Sequence, residues 1–98
     1  MKFARNVHFQ IKNGKEQEFA KLFETNVLPT MKKEPGFKES LTMVEGNRGI
    51  GISLWDDRKS ADNYQTATYP RLLEKLTPVI EGTPRVETYQ VVATTLGA

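Results

Sequence analysis

The hydrophobic period of this chain changes from two to between three and four and back again, twice, and that alternation limits the fold more than any other feature. Residues 3 to 11, Phe-Ala-Arg-Asn-Val-His-Phe-Gln-Ile, put Phe3, Val7, Phe9 and Ile11 on one side of a strand. Lys12-Asn13-Gly14 breaks the pattern. From Lys15 the apolar positions Phe19, Leu22, Phe23, Val27 and Met31 form one helical stripe with Lys and Glu opposite, ending near Lys33 at the stop Pro35-Gly36. Residues 37 to 45 and 49 to 55 read as two strands joined by a tight turn at Gly46-Asn47-Arg48. Asp56 or Asp57 is placed to cap a second helix running through Tyr64 to about Thr68. Pro70 then suits the first turn of a continuing segment with the stripe Leu72, Leu73, Leu76 and Ile80, so a kink is expected near Tyr69. After Gly82 and Pro84, the β-branched run 86 to 95 is expected to be the last strand.

The order strand, helix, strand, strand, helix, strand predicts an α+β, ferredoxin-like βαββαβ fold, a four-stranded antiparallel sheet with helices on one face. Phe3, Val7, Phe9 and Ile11, with Ile50, Ile52 and Leu54, are assigned to the helix-covered face. Asn6, His8 and Gln10, with Gly51, Ser53, Ser40 and Thr42, are assigned to the other. A sheet surface left in water normally carries Lys and Glu. The uncharged composition of this second face therefore points to a homodimer in which two copies pack these faces together across Asn6, His8 and Gln10, as a dimeric α/β barrel. The alternative is a solvated face that lacks charge.

Length and composition bound the rest. With 98 residues, 38% hydrophobic and 27% charged, residues 1–98 are expected to form a single domain. The 14 basic and 12 acidic residues give a net charge of +2 and are interspersed, so no basic tail or patch suggests nucleic acid or a membrane surface as partner. Without cysteine there is no disulfide, thiolate metal site or cysteine nucleophile, and the single histidine argues against a multi-histidine metal site. No apolar run reaches the ~20 residues of a membrane span, and a cytoplasmic location is the expectation.

Several groups could carry chemistry. Arg48–Trp55 has nearly the spacing of an RNA-recognition strand, but Ile50 and Ile52 stand where rings would have to stack on bases. The glycines there precede a strand continuation rather than a helix, so no dinucleotide fingerprint is present. His8 could act as a general base or sit in a polar contact between sheets. Trp55, Tyr64 and Tyr69 could pack the core or line a ligand pocket at the Pro70 break. Arg5 interrupts the apolar parity of the first strand. It reads either as a strand end whose charge reaches solvent or as a cation at a pocket mouth that holds an enolate, phenolate or carboxylate.

The stretches Phe9-Gln-Ile-Lys-Asn-Gly-Lys-Glu-Gln-Glu-Phe19, Lys33-Glu-Pro-Gly-Phe37 and Ser53-Leu-Trp55-Asp-Asp-Arg-Lys-Ser-Ala61 together resemble the antibiotic-biosynthesis monooxygenase family of dimeric α/β barrels. The resemblance implies a homodimer with an apolar pocket between sheet and helices, binding a small aromatic molecule. In some relatives it implies oxidation of aromatic substrates without flavin or metal. Its haem-degrading branch uses an Asn on the first strand and a Trp and a His on the second helix. The matching positions here hold Val7, Tyr64 and Glu74, so no haem and no other cofactor is expected. On this resemblance Arg5, Val7, Trp55, Tyr64 and Tyr69 are the candidate substrate-binding residues, no base is identified, and a non-catalytic binding or structural homodimer is the alternative.

Overall fold

The computed structural model describes residues 2–96. Strand β1 (Phe3–Ile11) leads into helix α1 (Glu16–Leu22), a π-helical segment (Phe23–Val27) and helix α2 (Leu28–Lys32), which run on without a break. Strands β2 (Phe37–Glu45) and β3 (Arg48–Trp55) form the hairpin, followed by helix α3 (Arg58–Ala67), helix α4 (Tyr69–Leu76), a 3-10 turn (Thr77–Val79) and strand β4 (Ile80–Gln90). The sheet order is β2-β3-β1-β4, antiparallel throughout. This is the ferredoxin-like α+β architecture that the period changes predict.

Local chemistry explains most boundaries. Asp57, in extended conformation, accepts a hydrogen bond from the Ser60 amide at 2.8 Å and starts α3. Gly36 adopts φ +81°, and a side chain there would run into Ser60, so the β2 entrance and the α3 start are locked together by a residue with no Cβ. The π-helical segment traces to Pro29. Proline offers no N–H to the carbonyl four residues before it, and Leu28 instead donates to Phe23, five residues back. Thr25 and Thr30 hydroxyls bond the carbonyls of Lys21 and Asn26 at 2.8 and 2.9 Å on the same stretch.

Two sequence expectations are corrected. The last strand spans Ile80–Gln90, not 86–95. It is an edge strand paired only with β1, where Pro84 needs no second partner, and Gly82 at φ +67° lies where the pairing shifts register between His8 and Gln10. Beyond Gln90, which faces Phe3, the pairing closes with one more bond, the Val91 amide donating to the Lys2 carbonyl at 2.9 Å. The second correction is the parity of β3 and β2. Arg5 faces Ser53 and Val7 faces Gly51, while Asn6 faces Ile52 and His8 faces Ile50. Ser40 and Thr42 face Ser53 and Gly51. The small residues therefore lie under the helices, and Ile50, Ile52 and Leu54 share the open face with Asn6, His8 and Gln10; Glu87 and Arg85 of β4, opposite Asn6 and His8, lie there too, so the face is not uncharged as the sequence suggested.

The physical reason is space. Trp55 is fully buried on the helix side. Phe9 lies over Gly49, its cross-strand partner, so closely that a Cβ at 49 would fall within the ring. Helix residues Phe19, Val27, Met31, Tyr64, Leu72 and Leu76 join Trp55 and Ile11 in one core. Gly49→Ala should cost about 1–3 kcal/mol, since Phe9 must leave its position in a packed layer; urea denaturation checks this, and an unchanged midpoint would contradict the close contact.

Candidate functional site

Arg5 enters the helix side of the sheet by parity alone, because β1 alternates and Arg5 falls between Phe3 and Val7. It is only 2% exposed. Its charge does not reach solvent, so the reading of Arg5 as a strand end open to water does not hold. The guanidinium carbon lies 4.8 Å from the ring centre of Tyr64 and 4.7 Å from that of Tyr69, and Nη2 donates to the side-chain carbonyl of Gln65. Among the described residues no carboxylate forms an ion pair with it, and its Nε has no hydrogen-bond partner. Burial pulls its pKa down from the usual arginine value, and the two tyrosines oppose that shift.

The break between α3 and α4 holds the two rings. Pro70 cannot donate within the helix, and Thr68 takes the bend, its amide donating to the Tyr64 carbonyl at 3.0 Å. The buried Thr68 hydroxyl donates to Glu34 at 2.6 Å, tying the bend to the segment after α2. Tyr64 stacks on Trp55 with centroids 4.8 Å apart, and Tyr69 lies 6.2 Å from Tyr64. Trp55 in turn donates to the Ser53 hydroxyl at 2.9 Å. Burial is the main cause that raises the Tyr64 phenol to about 12, partly opposed by the Arg5 charge; burial likewise raises Tyr69. The Tyr69 hydroxyl has no partner.

Between these groups and the first helical stretch lies an apolar cavity of about 60 Å³. Arg5, Val7, Tyr64 and Tyr69 line it, with Phe9, Phe19, Phe23 and Leu72 as apolar wall and Ser40, Thr42, Gly51 and Ser53 as floor. No carboxylate or imidazole lines it. The Thr42 hydroxyl, also buried, is without a partner. An outer groove of about 480 Å³ runs between the first helical stretch and β2, and it shares Phe19, Phe23, Ser40 and Thr42 with the cavity.

Of the candidate residues, Arg5, Val7, Tyr64 and Tyr69 are thus brought together, and Trp55 stands one layer behind, supporting Tyr64 and Ser53. Asn6, His8 and Gln10 lie on the opposite face, where His8 meets Glu87 at 3.1 Å. The floor residues Ser40, Thr42, Gly51 and Ser53 were assigned to the wrong face from sequence. The signal that places them was present: Trp55 shares their parity and is far too apolar to be left outside. Gln65 carried no signal. Among the described residues no three His, Asp or Glu side chains group as a metal site requires.

The fold and cavity define a class: a ferredoxin-like sheet with an apolar cavity beneath its helices. Residues 3–71 match the family model for antibiotic biosynthesis monooxygenases, and the chain belongs to that family. No curated protein matches it. SnoaB, a cofactor-independent oxygenase from Streptomyces nogalater, superposes with a TM-score of 0.79 at 15% identity, over 96% of each chain. NE2512 of Nitrosomonas europaea, a protein of unknown function, gives 0.81 at 20% identity over 99% of this chain and 95% of that one. Rv0793 of Mycobacterium tuberculosis gives 0.77 at 10% identity, over 97% and 99%. At these identities the likeness is one of fold.

The Tyr64 shift has a consequence for stability. Above the ordinary tyrosine value the unfolded chain loses a proton that the folded chain keeps, so stability falls as pH rises from about 10 to about 12. Alkaline titration followed at 295 nm should show Tyr64 ionising last, together with unfolding. Tyr64→Phe should remove part of the pH 10–12 loss; an undiminished loss would place its origin elsewhere.

Proposed function

We propose that this protein binds a small, flat, largely apolar molecule in the cavity between sheet and helices and oxygenates an electron-rich aromatic or hydroquinone without a cofactor. The observation that carries the reading is an apolar, aromatic-walled cavity lined by three residues whose buried polar atoms, Arg5 Nε, Thr42 Oγ1 and Tyr69 Oη, have no partner. Buried donors and acceptors are almost always satisfied, so three on one cavity are suited to a ligand's oxygens. Family membership and the fold shared with SnoaB support the choice of chemistry.

In such a reaction the substrate supplies the electrons. At an anthrone-type methylene, the carbon loses two hydrogens and gains one oxygen atom as a carbonyl. The other oxygen atom leaves as water, and the four electrons that reduce dioxygen come from the substrate. The protein contributes a dry enclosure and fixed donors for the oxyanion. One observation favours a non-catalytic binding protein as the second reading: no carboxylate or imidazole lines the cavity to accept the substrate's proton. Oxygen uptake separates the two. A panel of hydroquinones and anthrones should show consumption above the spontaneous rate, and Gly51→Val should abolish it with folding intact, because Gly51 floors the cavity with nothing closer to its missing Cβ than Thr42 Oγ1 at 3.7 Å. Binding of the same compounds with no uptake selects the carrier.

The open sheet face is proposed as the contact of a homodimer. Beside Asn6, His8 and Gln10 it carries Leu41, Met43, Ile50 and Tyr89, each more than a third exposed. Sedimentation should give a dimer for the native chain and a monomer for Ile50→Glu, which places a charge in the middle of that face. A native monomer, or an Ile50→Glu dimer, would refute this contact.

A further inference from the structure

Arg5 is a permanent charge, 2% exposed, with two rings and one amide for company and no acidic partner among the described residues. Taking an ion out of water is costly unless an opposite charge or a full set of hydrogen bonds replaces the solvent. Tyrosine faces and a neutral amide replace part of it, and Nε is left with nothing to bind. An arginine cannot escape by losing its proton, so the missing counter-charge is a feature of the site. The same cavity has no carboxylate or imidazole on its wall, and its two phenols are buried beside that cation.

Taking the cavity as the ligand site, as the preceding reading does, we infer that it is selective for anions: it takes a small aromatic as its conjugate base, a phenolate, enolate or carboxylate ionised before it enters. Arg5 is the counter-charge and the Tyr69 hydroxyl the second donor. A carboxylate or phenolate oxygen at Arg5 Nε would satisfy the orphan donor and neutralise the buried charge in one contact. Tyr69 Oη, also unpartnered, belongs to the ring whose centre lies 4.7 Å from the guanidinium carbon, and in this assignment it donates to the same oxygen. A neutral isostere would leave the cation uncompensated. For an oxygenated substrate, deprotonation then belongs to bulk water, and the pH dependence of turnover follows the substrate's own ionisation rather than that of a protein group.

Calorimetric titration with 2-naphthoate and its neutral isostere 2-naphthamide tests this. The native chain should bind the naphthoate at least tenfold more tightly, and Arg5→Met should bring the two within threefold of each other. The Arg5 Nε–H resonance of the native chain should move on saturation with naphthoate and stay in place with naphthamide, a readout that needs no variant to fold. Equal binding of both by the native chain overturns anion selectivity while leaving the cavity as a binding site. A preference that survives Arg5→Met, or a naphthoate-bound state with an unmoved Arg5 resonance, overturns the role of Arg5. Binding of neither compound overturns the cavity reading and the inference with it.

Discussion

A guanidinium removed from water without a carboxylate beside it is held only by what surrounds it, and the upper half of this fold is arranged around Arg5. The two rings that face it come from either side of a helix break, so α3 and α4 must bend between Tyr64 and Tyr69 for both to reach it. Pro70 makes the bend and the Thr68–Glu34 hydrogen bond fixes it against the segment that follows the first helical stretch. Trp55 backs Tyr64, and Ser53 anchors Trp55. Each of these is a modest interaction, of about 0.5–1.5 kcal/mol where measured in other proteins. Together they hold a charged group at a depth where an isolated one would not stay.

The sheet beneath answers a second demand, for room. Four large rings, Phe9, Phe19, Tyr64 and Tyr69, crowd onto the helix side, and β3 opposes them with Gly49, Gly51 and Ser53. That choice sends Ile50, Ile52 and Leu54 of β3 outward, with Leu41 and Met43 of β2, to a face no helix covers. The cavity under the helices and the outward Ile50, Ile52 and Leu54 on the open face are two results of one alternation, and neither can be altered by shifting β3 without inverting the other.

Much of this was legible in the sequence because period is a strong signal: β1 and β2 have the boundaries their alternation predicts, and the kink falls at Tyr69. Where reading failed, a local rule met a tertiary exception. Gly82 and Pro84 look like strand breakers, yet an edge strand with a bulge accommodates both. The alternation of β3 was recognised and its direction inverted, since large apolar residues were assumed to face the helices when the rings above them had already taken that space. Arg5 betrayed itself by breaking the parity of its strand. Its burial did not, because nothing near it in sequence reveals that Gln65 and two tyrosines, some sixty positions on, will close over it.

The π-helical turn that Pro29 imposes sets a limit on how the cavity can be used. Phe23 begins that turn and stands between the inner cavity and the outer groove, on a stretch whose carbonyls are partly held by threonine hydroxyls instead of the regular backbone ladder. The inner space, about 60 Å³, is below the ~150 Å³ at which an apolar cavity is known to admit benzene. On the proposed reading a ring needs more room than this, and displacement of Phe23, which lines both the cavity and the groove, would join the two spaces. The apparent affinity for any aromatic is then its intrinsic affinity multiplied by the fraction of molecules already open. Association would saturate at the opening rate, so the resting structure acts as a kinetic filter ahead of any chemical selection.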